Sequence, residues 1–241
     1  MGRHAYTSGG EQHDGHRSVS GGLARAAVFG ISDGLVSNVS LVIGFASSGV
    51  DSTVVRLAGL AGAIAGGASM AAGEWVSVSA QNELVTRALE IEKRELRVNT
   101  LAETNELAKI YESHGIEPER ARAAAADVMR RPDAALAVHA REELGVDPGA
   151  LPSPFKAAAL SLVCFLFGAI LPVIPWFVGG GTGPKVWSVA IGVIAAGFVG
   201  GAIGLSAERG VAKTAARQIA ILLVACGVTY LVGQIFDVTV T

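Results

Sequence analysis

"FGISDGLVSNVSLVIGF", Phe29–Phe45, is apolar enough for hydrocarbon except at Asp33, bracketed by Gly30 and Gly34, and at Asn38. An aspartate at the centre of a membrane helix costs roughly 2.5–3.5 kcal/mol on insertion scales. A soluble fold offers no easier home for the stretch. The chain of 241 residues is 51% hydrophobic with 31 glycines and only 6% aromatic residues, which does not suit a water-soluble core.

Working outward, a helix needs about 20 apolar residues to cross a bilayer. The runs Ala157–Val178, Val186–Ala207 and Ile219–Phe236 meet this with no charge at all. Two more are interrupted, Ala26–Val50 by Asp33 and Leu57–Val85 by Glu74 and Glu83. The expected fold is an all-α integral membrane protein with five crossings. An odd number sends the termini to opposite sides.

Composition changes sharply between the second and third crossings. Glu83–Asp147 holds 14 of the chain's 21 acidic and 10 of its 19 basic residues. This is expected to be a soluble helical insertion, so the organisation reads as a polar tail at 1–20, crossings one and two at 21–85, the insertion at 86–150, and crossings three to five at 151–241. The tail is Gly/Ser-rich and expected to be disordered, with His4, His13 and His16 solvated. "RALEIEKRELRV" extends the second crossing into water. Thr100 and Glu103 have capping-box spacing, Pro118 suits a helix start, Asp133 suits an N-cap, and Gly115 and Gly145 suit helix ends.

Lysine and arginine near the spans set orientation. Arg25, the insertion, Arg209, Lys213 and Arg217 fall on one side, and Arg56 and Lys185 on the other. The first side is expected to be cytosolic, with the N-terminus inside and the C-terminus outside. No removable signal is expected, because the first apolar run lacks a small-residue cleavage site. Cys164 and Cys226 lie within apolar runs and imply no disulfide framework. A basic stripe is lacking, which argues against a nucleic-acid partner. Gly62-x3-Gly66 and Gly200-x3-Gly204 have the spacing that lets helix backbones approach closely.

Helix rise puts Asp33 about 12 Å and Glu74 about 10 Å into the bilayer from the same side. Met70 is one turn deeper than Glu74 on the same face. With no lysine or arginine at this depth, a buried salt bridge is not expected, and a proton or a cation must neutralise the acids. Carboxylate with thioether suits a transition metal better than Ca²⁺ or Mg²⁺. Met70 taken alone reads as packing. In the insertion, Glu92 and Glu95 share a helix face, as do Glu103 and Glu106, and His139 and Glu143, with Glu142 alongside. Inward-facing, these would build a carboxylate-rich metal site; outward-facing, they are a solvated acidic surface.

"GISDGLVSNVSLVIGF", "GGASMAAGEWVSVSAQNE" and "HAREELG", in this order, closely resemble the vacuolar iron transporter family over roughly residues 20–237. The resemblance implies a homodimer with an ion path between subunits, and export of Fe²⁺, often Mn²⁺, from the cytosol in exchange for protons. The metal is then substrate, and no cofactor is implied. It implies a transport path at Asp33 and Met70, to which depth and helix face add Glu74 and Asn38, and metal binding by Glu92, Glu95, Glu103, Glu106 and Glu143. His139 stands where some members have methionine. The expected location is a bacterial inner or plasma membrane. A second class, a membrane-anchored di-iron ferroxidase or storage protein, would want Glu-x-x-His motifs on two helices, and the insertion has none.

Overall fold

The computed structural model describes residues 22–179 and 182–236. The N-terminal tail with its three histidines lies outside these residues. The described residues form helices α1 (Gly22–Ser47), α2 (Ser52–Val98), α3 (Thr100–Ser113), α4 (Pro118–Met129), α5 (Pro132–Glu142), α6 (Pro154–Ile170), α7 (Pro175–Val178), α8 (Gly183–Ser206) and α9 (Val211–Ile235). There is no strand among them. Five of these segments are long and apolar enough to cross a membrane, beginning at Leu23, Ser52, Pro154, Gly183 and Val211.

The helix α1 is the central post, packing against α2, α6, α8 and α9. Its contact with α6 is backbone to backbone. A Cβ on Gly34 would collide with the Phe165 carbonyl, and one on Gly168 with the Ile31 carbonyl. Small residues replace the hydrophobic effect as the organising force here, since lipid is as apolar as leucine. Gly200 and Gly204 serve the same end where α8 meets the start of α9. Around these approaches sit Leu35, Val39 and Ile43 against Ala196, Leu222 and Cys226. On the next face, Val42 and Ala46 meet Val55, Val173 and Trp176.

The α1–α2 hairpin closes at Gly49, in the left-handed region at φ 78°, and Asp51 caps α2 by accepting from the Thr53 amide at 2.7 Å. From there α2 runs unbroken for 47 residues, out of the apolar span and into the insertion. The insertion is a small bundle of the α2 extension, α3, α4 and α5, centred on Leu107, Ala108 and Ala125. Gly115 and Gly145 end helices at φ 88° and 64°, and Pro118 opens α4 behind a Glu117 cap, as the sequence implies.

Three local expectations are corrected. The third crossing is not continuous: α6 ends at Ile170, a 3₁₀ turn spans Leu171–Val173, and α7 follows. Pro172 and Pro175 lack the amide hydrogens an α-helix would need there. The Pro172 carbonyl is satisfied instead by the Ser188 hydroxyl, which in turn accepts from the Trp176 indole at 2.9 Å. Thr100 and Glu103 form no capping box. The Thr100 hydroxyl donates back to Leu96 at 2.9 Å, and Glu103 turns inward. Asp133 is not an N-cap either, because Pro132 already opens α5 behind Arg131.

Candidate metal centre and membrane cavity

In the insertion, Glu92 of the α2 extension, Glu103 of α3, and His139 and Glu143 at the end of α5 converge. One ligand atom from each lies within 4.8 Å of the others. His139 is fully buried, Glu92 and Glu103 nearly so, and Glu143 closes the open side. The imidazole Nδ1 lies 2.7 Å from Glu143 Oε1, 3.1 Å from Glu92 Oε1 and 3.9 Å from Glu103 Oε2. One ring nitrogen cannot satisfy three carboxylates. Glu92 Oε1 and His139 Nε2 are buried with no hydrogen-bond partner. A buried anionic oxygen left unpaired is costly, and a cation among these atoms would supply what is missing. The donor set of three carboxylates and one imidazole fits Fe²⁺, Mn²⁺ or Zn²⁺.

The electrostatics carry the same mark. Burial first, and then the Glu143 charge, push the Glu92 carboxyl up to about 7, with His139 opposing. Burial, then Glu106, raises Glu103 as well.

The other acids singled out from the sequence stand apart. Glu95 is half-buried and Glu106 exposed, and neither joins the group. Their influence on it is through charge, since both help raise Glu103. Glu142 faces away, with Oε2 3.8 Å from His114 Nδ1. One residue along a helix is a turn of about 100°, so Glu142 and Glu143 cannot share a direction.

Within the span, Asp33, Asn38, Met70 and Glu74 line one cavity of about 580 Å³ between α1 and α2, walled at its back by Phe165. Depth and helix face, argued from the sequence, therefore bring the intended residues together. Met70 also packs on the Ala63–Phe165–Ala169 cluster, so it serves packing and cavity at once. The Asn38 side chain is a brace. Its amide donates to the carbonyls of Gly59, at 3.0 Å, and Ala169, tying α1 to α2 and α6.

Two residues were missed from the sequence. Ser37, one turn beyond Asp33, places its hydroxyl within donating reach of both the Asp33 backbone carbonyl and Asp33 Oδ1, the latter at 2.9 Å, with one proton shared between them. Arg25, two turns before Asp33, reaches across to Glu74 with Nη2 3.8 Å from Oε1. The expectation that Glu74 has no cationic partner is thus corrected: the arginine lies nearer the helix end and reaches in along its stem. Asp33 also borders a second cavity of about 410 Å³ on the other side of α1, with Ser32, Gln218 and Arg25.

Five apolar helices, three of which line a carboxylate-bearing cavity, joined to an acidic helical bundle, define a polytopic α-helical membrane protein with clustered carboxylates in and beyond its spans. The chain belongs to the VIT family, whose profile matches residues 24–234. It is 35% identical over 201 residues to a vacuolar iron transporter of Acanthamoeba castellanii, covering 80% of this chain and 73% of that one. It is 28% identical over 192 residues to vacuolar iron transporter 1 of Oryza sativa subsp. japonica, covering 78% and 75%. Against vacuolar iron transporter 1 of Arabidopsis thaliana the figures are 26% over 166 residues, 69% and 66%.

Proposed function

We propose that the protein is a divalent transition-metal transporter that moves Fe²⁺, and Mn²⁺ as well, out of the cytosol in exchange for protons. The observation that carries this reading is the meeting of two carboxylates and a thioether in one cavity inside the span. Ionisable groups at that depth are expensive and are functional by default. Iron as substrate is supported by what the relatives are named for.

The insertion lies on the cytosolic side in this reading, by the excess of arginine and lysine there, with the N-terminus inside and the C-terminus outside a bacterial plasma membrane. Glu92, Glu103, His139 and Glu143 collect the ion, with Glu143 as the open edge of the site. Asp33, Met70 and Glu74 then receive it within the membrane. Proton and metal compete for the same carboxylates, which is enough to couple their flows. Glu95 and Glu106 hold a negative field around the cluster without ligating.

The protein works as a homodimer in this reading. Phe29, Asp33, Ser37, Leu41 and Phe45 recur every four residues on α1, and Phe29, Ser37 and Phe45 are exposed. Asp33 and Ser37 on a face otherwise open to lipid are unfavourable, and a second copy would cover them.

The test is uptake of Fe²⁺ or Mn²⁺ by proteoliposomes under an imposed pH gradient. Metal accumulation in the acidic compartment, with the gradient running down in proportion, is expected. Absence of uptake with a correctly inserted protein overturns the reading. Oxygen consumption on Fe²⁺ addition without uptake would favour the ferroxidase class instead.

A further inference from the structure

We infer that Arg25 is a tethered competitor for the metal: its guanidinium occupies Glu74 until an ion that binds the cavity strongly displaces it. The inference rests on the transport reading above and adds a residue that sets the threshold for entry.

The two acids of the cavity are partnered in different ways. Asp33 is held by the Ser37 hydroxyl, on its own helix. Glu74 is held by a full positive charge from the neighbouring helix. The pair is loose, a single N–O approach of 3.8 Å, with the Arg25 side chain 75% exposed and Glu74 only 16%. A pair this exposed at one end contributes about 0–1 kcal/mol. It is strong enough to bias the cavity and weak enough to be broken by a bound ion. Guanidinium stays charged at any working pH and has five donors and no acceptor. It therefore leaves Glu74 only by moving aside or by losing a competition.

Moving aside is open to it. Arg25 lies near the start of α1 and also borders the second cavity beside Asp33, where Ser32 and Gln218 offer oxygen acceptors. A divalent ion at Glu74 would repel the guanidinium towards that side. A transition metal gains from the Met70 thioether, which Mg²⁺ does not. The thioether thus favours the softer ion, and the arginine raises the threshold for every divalent ion alike.

Removing the charge should tighten the cavity for every divalent ion by a similar factor. The measurement is Mn²⁺ uptake by the full-length protein in liposomes, with Mg²⁺ as inhibitor, for wild type, Arg25→Gln and Arg25→Lys. In Arg25→Gln the KM for Mn²⁺ and the inhibition constant for Mg²⁺ should each fall about fivefold, without a rise in maximal rate. Arg25→Lys keeps the charge and should stay near wild type. Because the side chain is exposed, folding is not at stake. If KM and Mg²⁺ inhibition are unchanged in Arg25→Gln while wild type transports, the inference is wrong. A second arm does not depend on transport: Mn²⁺ binding by electron paramagnetic resonance to the full chain carrying Glu103→Gln and His139→Ala, with and without Arg25→Gln. Tighter binding without the arginine supports the inference even if the vesicles show no uptake, which would overturn the transport reading alone. Equal affinities overturn the inference.

Discussion

His139 Nδ1 lies 3.1 Å from Glu92 Oε1, although the two residues belong to helices that enter the insertion from opposite ends of its sequence. The imidazole is fully buried, and the carboxylate oxygen facing it has no hydrogen-bond partner. A buried histidine whose role was only packing would pair both ring nitrogens. Here one is crowded by carboxylates and the other has no partner. His139→Ala should therefore weaken Fe²⁺ or Mn²⁺ binding by the full chain roughly tenfold or more. His139→Met should keep part of that binding, because a thioether can take the imidazole's place as a donor to a transition metal. Titrations of both variants against wild type check this. Wild-type affinity in His139→Ala would remove His139 from the ligand set.

Glu92 supplies the stability counterpart. Its folded carboxyl, pushed up to about 7 by burial and the nearby Glu143 charge, lies above the unfolded value of 4.5. Between those values the folded chain holds a proton that the unfolded chain has released. Stability of the metal-free protein therefore falls as pH rises through that window. Glu92→Gln mimics the protonated form, so at pH 8 it should stabilise the metal-free protein, by on the order of 2 kcal/mol. It should also lose most of the further stabilisation that wild type gains from Mn²⁺. Thermal unfolding at pH 6 and 8, with and without metal, reads both effects. A Glu92→Gln protein less stable than wild type at pH 8 without metal would contradict the assigned cost.

The α1–α6 approach should be intolerant of a single methyl group. A Cβ on Gly168 meets backbone atoms of Ile31 and Leu35, which no rotamer change can relieve. Gly168→Ala should destabilise by about 1–3 kcal/mol. Gly227→Ala on α9 is the control: nothing lies within 4 Å of its added Cβ. There the gain in helix propensity, up to about 1 kcal/mol, should stand alone. Thermal midpoints in detergent distinguish them, and equal midpoints would mean that α1 and α6 can separate at no cost.

Much of this architecture is legible before any coordinates, because hydropathy and turn residues are local signals. Five apolar runs give five spanning helices, and Gly115 and Gly145 end helices where a left-handed residue is needed. What is not legible is rotation. Spacing alone puts Glu92 with Glu95 and Glu103 with Glu106 on shared faces, but which member turns inward depends on how α2, α3 and α5 roll against one another. The capping box at Thr100 failed for a related reason: α3 is rolled so that Glu103 points into the buried cluster, 3.9 Å from His139 Nδ1, rather than back to the helix terminus. The break after Ile170 is written in Pro172 and Pro175, which a hydropathy average does not register. Arg25 escaped because a depth estimate follows the Cα, whereas a long side chain carries its charge several ångströms further.

Asp33 gives the sharpest separation between fold and function. Its Oδ1 accepts from the Ser37 hydroxyl, a bond that an asparagine oxygen at the same position can also accept. No lysine or arginine is paired with Asp33 among the described residues, so neutralising it orphans no buried cation. The neighbouring approach of Gly34 to α6 is backbone to backbone and indifferent to the Asp33 side chain. Asp33→Asn should therefore insert, fold and keep the wild-type elution volume. Its cavity, however, would lose the one carboxylate that borders both the Met70 side and the Gln218 side of α1. Uptake of Fe²⁺ or Mn²⁺ into vesicles should drop by about a hundredfold or more, since losing roughly 3 kcal/mol of charge-assisted binding is worth that factor. Binding at the Glu92–His139 cluster should be unaffected, because the mutation changes nothing there. The two readouts together make the result interpretable. A protein that binds metal in its insertion, elutes as wild type and no longer transports has lost its path through the membrane. Wild-type rates in Asp33→Asn vesicles would show that this carboxylate, despite its cost in hydrocarbon, is not on that path.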